Sequence, residues 1–139
     1  MARGLSVAVC IDERGGMLFG GKRQSRDRLL IEELINSTNG KIITNDFSSS
    51  LFHDYEDKVE IERKPYKKCK KGDVCFIENI PLSDFCEDIE ELIIYNWNRR
   101  YPCDVKLEIN PEQLGLSLVL SKEFTGSSHD KITKEIYRK

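Results

Sequence analysis

The sequence has no long apolar run, no paired cysteine motif and few histidines. None of its hydrophobic stretches approaches the length of a membrane span, and the first residues lead straight into a strand pattern rather than a signal peptide. We therefore expect a cytoplasmic protein without membrane contact. The five cysteines include no Cys-x-x-Cys pair, which disfavours disulfides and zinc. The two histidines lack the spacing of metal ligands, so we expect no metal.

The overall charge is close to neutral, at −2, and gives no global attraction to nucleic acid. Positive charge gathers locally between Lys22 and Arg28 and between Lys64 and Lys71. Such short clusters suit a phosphate or a small anionic ligand better than a duplex, so nucleic-acid binding is disfavoured. Whether the basic turn from Lys67 to Lys71 binds anything is left open. A chain of 139 residues, 39% hydrophobic, can form one domain over residues 1–139.

The first half of the chain reads as strand, helix, strand. The segments are a strand from Leu5 to Asp12, a glycine-flanked loop from Gly15 to Gly21, a helix from Arg26 to Asn36, a strand from Lys41 to Asn45 and a short helix starting at Asp46. Leu30, Ile31, Leu34 and Ile35 share one helical face, with Ser25 as a candidate cap and Asn39-Gly40 as the stop. A β-α-β connection predicts that the two strands are parallel.

The second half contains mostly strands. We expect strands over Lys58 to Arg63, Asp73 to Ile77 and Leu92 to Trp97, an outer helix over Pro81 to Glu90, and alternating strands around Val105 to Ile109, Leu114 to Leu120 and Ile132 to Ile136. These C-terminal strands should pair antiparallel. The fold class is therefore α/β, with a mixed sheet that is parallel in its N-terminal part, antiparallel at its C-terminal end and flanked by helices.

This order of motifs resembles dihydrofolate reductase. The matching features are a strand ending in Asp12, a Gly-Met loop, a helix from Arg26 to Leu34 with an acid at Asp27, and the strand Gly40-Lys41-Ile42-Ile43. Asp73 to Ile77, Glu91 to Tyr95, Tyr101 to Ile109 and the segments Leu116 to Phe124 and Lys131 to Tyr137 are similar to the later strands of that family. The resemblance covers most of the chain and implies a shortened dihydrofolate reductase-like domain.

The departures from the family fall in its cofactor region. Its adjacent glycines after the inner strand, which let the backbone approach the nicotinamide, are replaced near Ile77-Glu78-Asn79. The stretch between Phe52 and Asp73 is short, and Asp46, Phe47 and Ser48 stand where the family has a basic residue and a threonine. We therefore expect no bound cofactor, and NADPH only if the protein is a reductase that binds it in an altered pose.

The resemblance also implies a ligand pocket beside the first helix. In the family the acid that matches Asp27 hydrogen-bonds an amino-pyrimidine edge, and a carboxylate could hold an adenine or guanine edge in the same way. The predicted ligand-binding residues are Asp27, Met17, Phe19, Arg23, Arg26, Ile31, Ser48 and Tyr95. In the alternative interpretation Asp27 only complements the helix dipole, the arginines form a solvated face, and Met17 and Phe19 are core.

A second candidate surface follows the Leu92 to Trp97 strand. Aromatic and guanidinium groups suited to base stacking or to a protein interface occur at Trp97, Arg99, Arg100 and Tyr101. In the alternative interpretation, alternate members belong to the core and the rest form its rim. A sheet edge near Val59 or the Trp97 strand could support a homodimer. Gly126 to Asp130 reads as the turn of the final hairpin, and its consecutive Ser, His and Asp do not form a catalytic triad.

Three functions remain open. The first is non-catalytic binding of a nucleotide-like or pterin-like molecule with a phosphate or heteroaromatic ring, which could sequester a nucleotide signal. The second is a protein-interaction module, such as an inhibitor, an immunity protein or a viral counter-defence protein. The third is a nicotinamide-dependent reductase, against which Glu78 and Asn79 argue. The sequence favours the first and predicts no catalytic residue.

Overall fold

The computed structural model describes residues 4–139; Met1 to Arg3, on which the signal-peptide prediction depended, lie outside them. Its strands are β1 (Leu5–Ile11), β2 (Gly16–Phe19), β3 (Lys22–Arg23), β4 (Ile42–Thr44), β5 (Val59–Ile61), β6 (Val74–Phe76), β7 (Ile89–Asn96), β8 (Val105–Lys106), β9 (Ser117–Phe124) and β10 (Ile132–Arg138). Its α-helices are α1 (Arg28–Ser37) and α2 (Asp46–Ser49), and its 3-10 helices are Ser50–Lys58, Pro65–Lys67, Leu82–Asp84, Cys86–Asp88 and Pro111–Leu114. No helix within residues 4–139 is long and apolar enough to span a membrane.

The strands confirm the predicted mixed α/β sheet. Seven strands lie in the order β5-β4-β6-β1-β7-β10-β9. The first five are mutually parallel, and β10 is antiparallel to both β7 and β9. A second, three-stranded sheet has the order β3-β2-β8. The parallel part arises because β1 returns through α1 to β4, and β6 then pairs between them.

Helix α1 buries the apolar face that its periodicity predicts. Leu30, Ile31, Leu34 and Ile35 are all buried against the sheet. The predicted cap at Ser25 is wrong, because the carboxylate of Asp27 accepts the backbone N–H groups of Leu29 and Leu30 and the helix starts at Arg28. At the other end the Thr38 hydroxyl bonds the carbonyl of Leu34 at 2.7 Å and stops the helix before Gly40.

The core has two layers, one on each side of the large sheet. Strand β1 separates them: Val7 and Val9 join the layer that contains Leu82 and Phe85, whereas Ala8 faces α1. Val7, Ala8 and Val9, at the centre of β1, are all fully buried. The continuous apolar character of this strand follows from its position in the parallel sheet, where both faces are covered.

The strand predicted over Val105 to Ile109 is only the two-residue β8, which pairs with β2 in the second sheet and not with the C-terminal strands. Two other segments also differ from the sequence-based expectation. The predicted helix over Pro81 to Glu90 is two 3-10 turns, broken by the extended φ of Phe85 (−146°), and β7 already starts at Ile89. Leu82, Phe85 and Ile89 are buried at spacings that imitate a helical face. The predicted loop over Gly15 to Gly21 is a hairpin, because Gly20 and Gly21 both take positive φ and turn β2 into β3.

The two sheet edges are also defined. Strand β5 is an edge, as the prediction near Val59 requires. The strand that precedes Trp97 is β7, which lies between β1 and β10, so the prediction of an edge there is wrong. The second edge is β9, which is predicted from the sequence only as a strand of the closing hairpin and not as an edge.

Replacing Leu34 with alanine should lower the free energy of unfolding by about 2 to 5 kcal/mol, because the side chain is fully buried between α1 and the sheet. Asn36→Ala, at an exposed position of the same helix, should change it by about 0.5 kcal/mol or less. Urea denaturation measures both. Equal losses in the two variants would contradict this placement of the helix.

Candidate functional site

The carboxyl ends of β1 and β6 meet at a switch point of the sheet, since β1 continues to β4 on one side and β6 to β7 on the other. Ligands of open α/β sheets bind in such crevices. Asp12 follows β1, and its buried carboxylate accepts the backbone N–H groups of Gly16 (2.8 Å), Arg14 (2.9 Å) and Tyr101 (3.1 Å). Burial opposes ionisation, but these bonds outweigh it and lower the pKa of Asp12.

Glu78, after β6, fills this crevice with a buried ion pair. Its Oε2 lies 3.0 Å from Nε of Arg23, and its Oε1 accepts the Ser48 hydroxyl at 2.7 Å. The same guanidinium donates to the carbonyl of Phe47 at 2.9 Å and lies over the Phe47 ring. The Glu78 side chain is only 9% exposed. The side chains of Glu78 and Arg23 therefore occupy the crevice at the carboxyl ends of β1 and β6.

Asp27 is saturated by the turn between β9 and β10. One oxygen accepts the N–H groups of Leu29 and Leu30 and that of Ser127 (2.9 Å), and the other accepts the N–H of Ser128 (2.9 Å). Both serine hydroxyls bond it too, and its side chain is 0% exposed. Gly126 makes this approach possible, because a Cβ there would lie within 2.8 Å of both carboxylate oxygens.

His129 completes this cluster. Its Nδ1 lies 2.9 Å from Asp27 Oδ2, and its Nε2 lies 2.9 Å from the Ser25 hydroxyl and 3.1 Å from that of Tyr101. Burial would raise the pKa of Asp27, but the bond from His129 and those from the backbone N–H groups hold it well below its usual range. Because the ionised Asp27 can only accept, Nδ1 carries the proton and, in the neutral ring, the single lone pair of Nε2 accepts from one of the two hydroxyls.

The line Ser25, His129, Asp27 has the order of nucleophile, base and acid in a hydrolase triad. Acyl transfer also needs donors near the nucleophile for a developing oxyanion. The amides at the start of α1 are already taken, since Arg28 N–H donates to the Ser127 hydroxyl and the next two donate to Asp27. We therefore interpret the cluster as a clamp that holds the hairpin turn on α1.

An open cavity of about 380 Å³ lies between the first turn of α1 and the Ser50–Lys58 segment. Its lining combines two arginines with apolar, aromatic and polar side chains. The lining residues are Arg26, Asp27, Arg28, Ile31, Ser50, Leu51, His53, Asp54 and Tyr55. Since the carboxylate of Asp27 is engaged by the turn, the side chain of Asp54 is the acid with access to this space.

The predicted ligand-binding residues do not form one site. Arg26, Asp27 and Ile31 line the cavity, whereas Arg23 and Ser48 contact Glu78. Met17 and Tyr95 are buried in the core, Tyr95 with its hydroxyl 2.6 Å from Glu33, and Phe19 is 54% exposed on β2. The cavity residues of the Ser50–Lys58 segment were missed. The only signal for them was the short helix predicted after β4, with nothing to indicate that its continuation returns to α1.

The residues of the second predicted surface also separate. Trp97 is only 4% exposed and stacks on His129 at 4.4 Å between ring centroids, so the prediction that this side chain is at an interface is wrong. Trp97 instead belongs to the core, as the alternative interpretation of this segment has it. Tyr101 bonds His129, Arg100 pairs with Glu13 at 3.1 Å, and Arg99 is exposed.

Comparison with solved structures relates this geometry to a known fold. A dihydrofolate reductase from Enterococcus faecalis, complexed with NADP(H) and RAB-propyl, matches with a TM-score of 0.68 over 97% of this chain and 95% of that one. Only 8% of the residues are identical. No protein-family model and no curated protein matches the sequence. The chain therefore has a dihydrofolate reductase-like fold, as its motif order predicts.

Asp27→Asn should lower the free energy of unfolding at pH 7 by on the order of 2 kcal/mol, because it removes the anionic acceptor of the clamp. The pKa of Asp27 is lower in the folded state than its unfolded value of 3.8. The ionised carboxylate therefore stabilises the folded state at pH values above 3.8, and this contribution is lost as the pH falls toward the folded-state pKa. The gap between wild type and variant should therefore narrow below about pH 4.

Urea denaturation from pH 7 to pH 2.5 measures this dependence. Asp130→Asn is the matched control, since Asp130 lies in the same turn but is exposed. It should follow the wild type at every pH. A gap between wild type and Asp27→Asn that stays constant to pH 2.5 would contradict the ionised clamp.

Proposed function

We propose that this protein binds a small nucleotide-like or pterin-like ligand in the cavity beside α1 and does not reduce it. The observation that carries the proposal is the lining of this cavity, which combines Arg26 and Arg28 with the apolar side chains of Ile31 and Leu51. A volume of about 380 Å³ is within the usual range for small-molecule sites.

Each part of this lining suits one part of such a ligand. A guanidinium binds a phosphate through two parallel N–H donors, and two guanidinium groups line the cavity, that of Arg28 at the first residue of α1 and that of Arg26 just before the cap Asp27. The Tyr55 ring offers a stacking surface for a heteroaromatic ring. Asp54 can accept from a ring amino group, which is the part the sequence analysis gave to Asp27.

The proposal that the ligand is not reduced depends on the Arg23–Glu78 pair. In the family, glycines after the inner strand let the backbone approach the nicotinamide; here the Glu78 carboxylate accepts from Arg23 and Ser48 at that position. To admit a nicotinamide ring, this pair would have to separate and leave a charge buried, which costs several kcal/mol. The residues present do not fit the cofactor in that pose. A non-catalytic protein of this kind could act by sequestering a nucleotide signal.

Thermal unfolding with folates, nicotinamides, adenine and guanine nucleotides and cyclic dinucleotides should identify a ligand that raises the midpoint. At one hundred times its dissociation constant, a ligand stabilises the native state by about 2.7 kcal/mol. The double variant Arg26→Ala, Arg28→Ala should lose most of the shift. The control Lys68→Ala, Lys70→Ala removes the same charge at exposed positions away from the cavity and should retain it.

Absorbance at the nicotinamide band should stay constant when NADPH is mixed with the protein and the identified ligand. A decrease that depends on the protein would contradict the non-catalytic proposal and favour the reductase. If no compound shifts the wild type, or if both double variants lose the shift equally, the cavity is not the binding site. The protein-interaction alternative would then be favoured.

A further inference from the structure

The two edges of the large sheet differ in length and chemistry. Strand β5 has three residues, whereas β9 has eight, of which all but Phe124 are exposed. Leu118, Val119 and Leu120 are consecutive on β9 and are 50%, 52% and 41% exposed. An edge strand presents unpaired backbone donors and acceptors, and proteins usually protect it with charges or proline. Strand β9 has three adjacent large apolar side chains instead.

The first five residues of this edge, Ser117 to Ser121, contain no charge. No Asp, Glu, Lys or Arg occurs from Gln113 to Ser121, and no other uncharged stretch of the chain is as long, although 33% of its residues are charged. The next longest, Gly4 to Ile11, includes the buried central strand β1. The composition of Ser117 to Ser121 is therefore that of a strand with a partner on each side.

We propose that β9 pairs antiparallel with β9 of a second copy of this chain, edge to edge, about a two-fold axis at Val119. The segment Ser117-Leu118-Val119-Leu120-Ser121 reads the same in both directions. Pairing about its centre places Val119 opposite itself, Leu118 opposite Leu120 and Ser117 opposite Ser121. Apolar side chains thus meet apolar side chains and hydroxyls meet hydroxyls, as an isologous interface requires.

The charges beside this segment are compatible with the pairing. Lys122 forms an ion pair with Glu33 at 3.0 Å, and Glu123 forms one with Lys131 at 3.2 Å, so both are neutralised within their own chain. In the proposed register they face Leu116 and Gly115 of the second copy, and no like charges stand opposite each other. The pairing uses the same edge of both copies, so it ends at a dimer.

One feature of β9 could protect the edge. Between Leu118 and Leu120 the register with β10 advances by one residue on β10 and by two on β9, so Val119 is an extra, bulged residue. Bulges can turn an edge strand away from partners. Here the bulge does not hide the apolar side chains, because the residue on each side of it and Val119 itself remain about half exposed. The bulge increases twist at the centre of the proposed contact and leaves its sequence symmetry unchanged.

Sedimentation velocity of the purified chain over a range of concentrations tests the proposal. The wild type should sediment as a particle of twice the 16.1 kDa chain mass. Val119→Lys places two like charges opposite each other on the axis and should weaken the dimer by on the order of tenfold or more. The control Val105→Lys adds the same charge at an exposed valine of β8, in the other sheet, and should leave the dimer unchanged.

A charge-complementation experiment identifies the axis. Val119→Glu alone should weaken the dimer as Val119→Lys does, but an equimolar mixture of the two variants should form a heterodimer, because Val119 opposes itself. Far-UV circular dichroism checks that each variant is folded. A wild type that is monomeric at every concentration, a dimer that survives Val119→Lys, or a mixture that stays monomeric would each overturn the proposal.

Discussion

The bonds of the Asp27 carboxylate join the beginning and the end of the chain. Asp27 caps α1 through two amides and accepts two more from Ser127 and Ser128, about one hundred residues later. Helix α1 covers one face of the sheet, and the hairpin β9-β10 forms its antiparallel edge. One buried anion therefore sets the position of the helix relative to the hairpin. Because burial alone would disfavour its charge, the position depends on all of these donors being present at once.

Because Asp27 is bound to the hairpin turn, the candidate site is not at its carboxylate, as the sequence predicted, but in the neighbouring cavity. A carboxylate whose oxygens are both taken by a turn cannot hold a ligand, and the crevice between β1 and β6 is filled by Glu78 and Arg23. The cavity described above lies instead between the start of α1 and the Ser50–Lys58 segment. The contacts of Asp27 and Glu78 therefore hold parts of the fold together, and the cavity beside α1 lies outside them. A sheet positions whichever side chains follow its strands, so one fold can carry different sites.

The local elements could be predicted because their signals lie within a few residues. The apolar spacing in α1 and the β-branched run of β1 need no information from elsewhere in the chain. The segment after Pro81 was misread because buried residues of consecutive 3-10 turns imitate a helical face. The role of Asp27 was not predictable in this way, since its partners, Ser127 to His129, are determined by the antiparallel pairing of a hairpin far along the sequence. The burial of Trp97 against His129 has the same origin.

The charged side chains of the β9-β10 hairpin lie outside the uncharged segment Ser117 to Ser121, and two of its lysines bond helix α1. Glu33 of α1 accepts from Lys134 and Lys122, each at 3.0 Å, and from the Tyr95 hydroxyl. Burial opposes the charge of Glu33, but these bonds outweigh it and lower its pKa, whereas burial and the neighbouring Glu33 raise the pKa of Tyr95. Lys122 of β9 and Lys134 of β10 thus both bond Glu33 of α1 and attach the hairpin to the helix. The one lysine of β9, Lys122, is engaged in this attachment, and the centre of the strand carries no charge. The interaction that stabilises the hairpin therefore leaves this edge accessible to a second apolar strand.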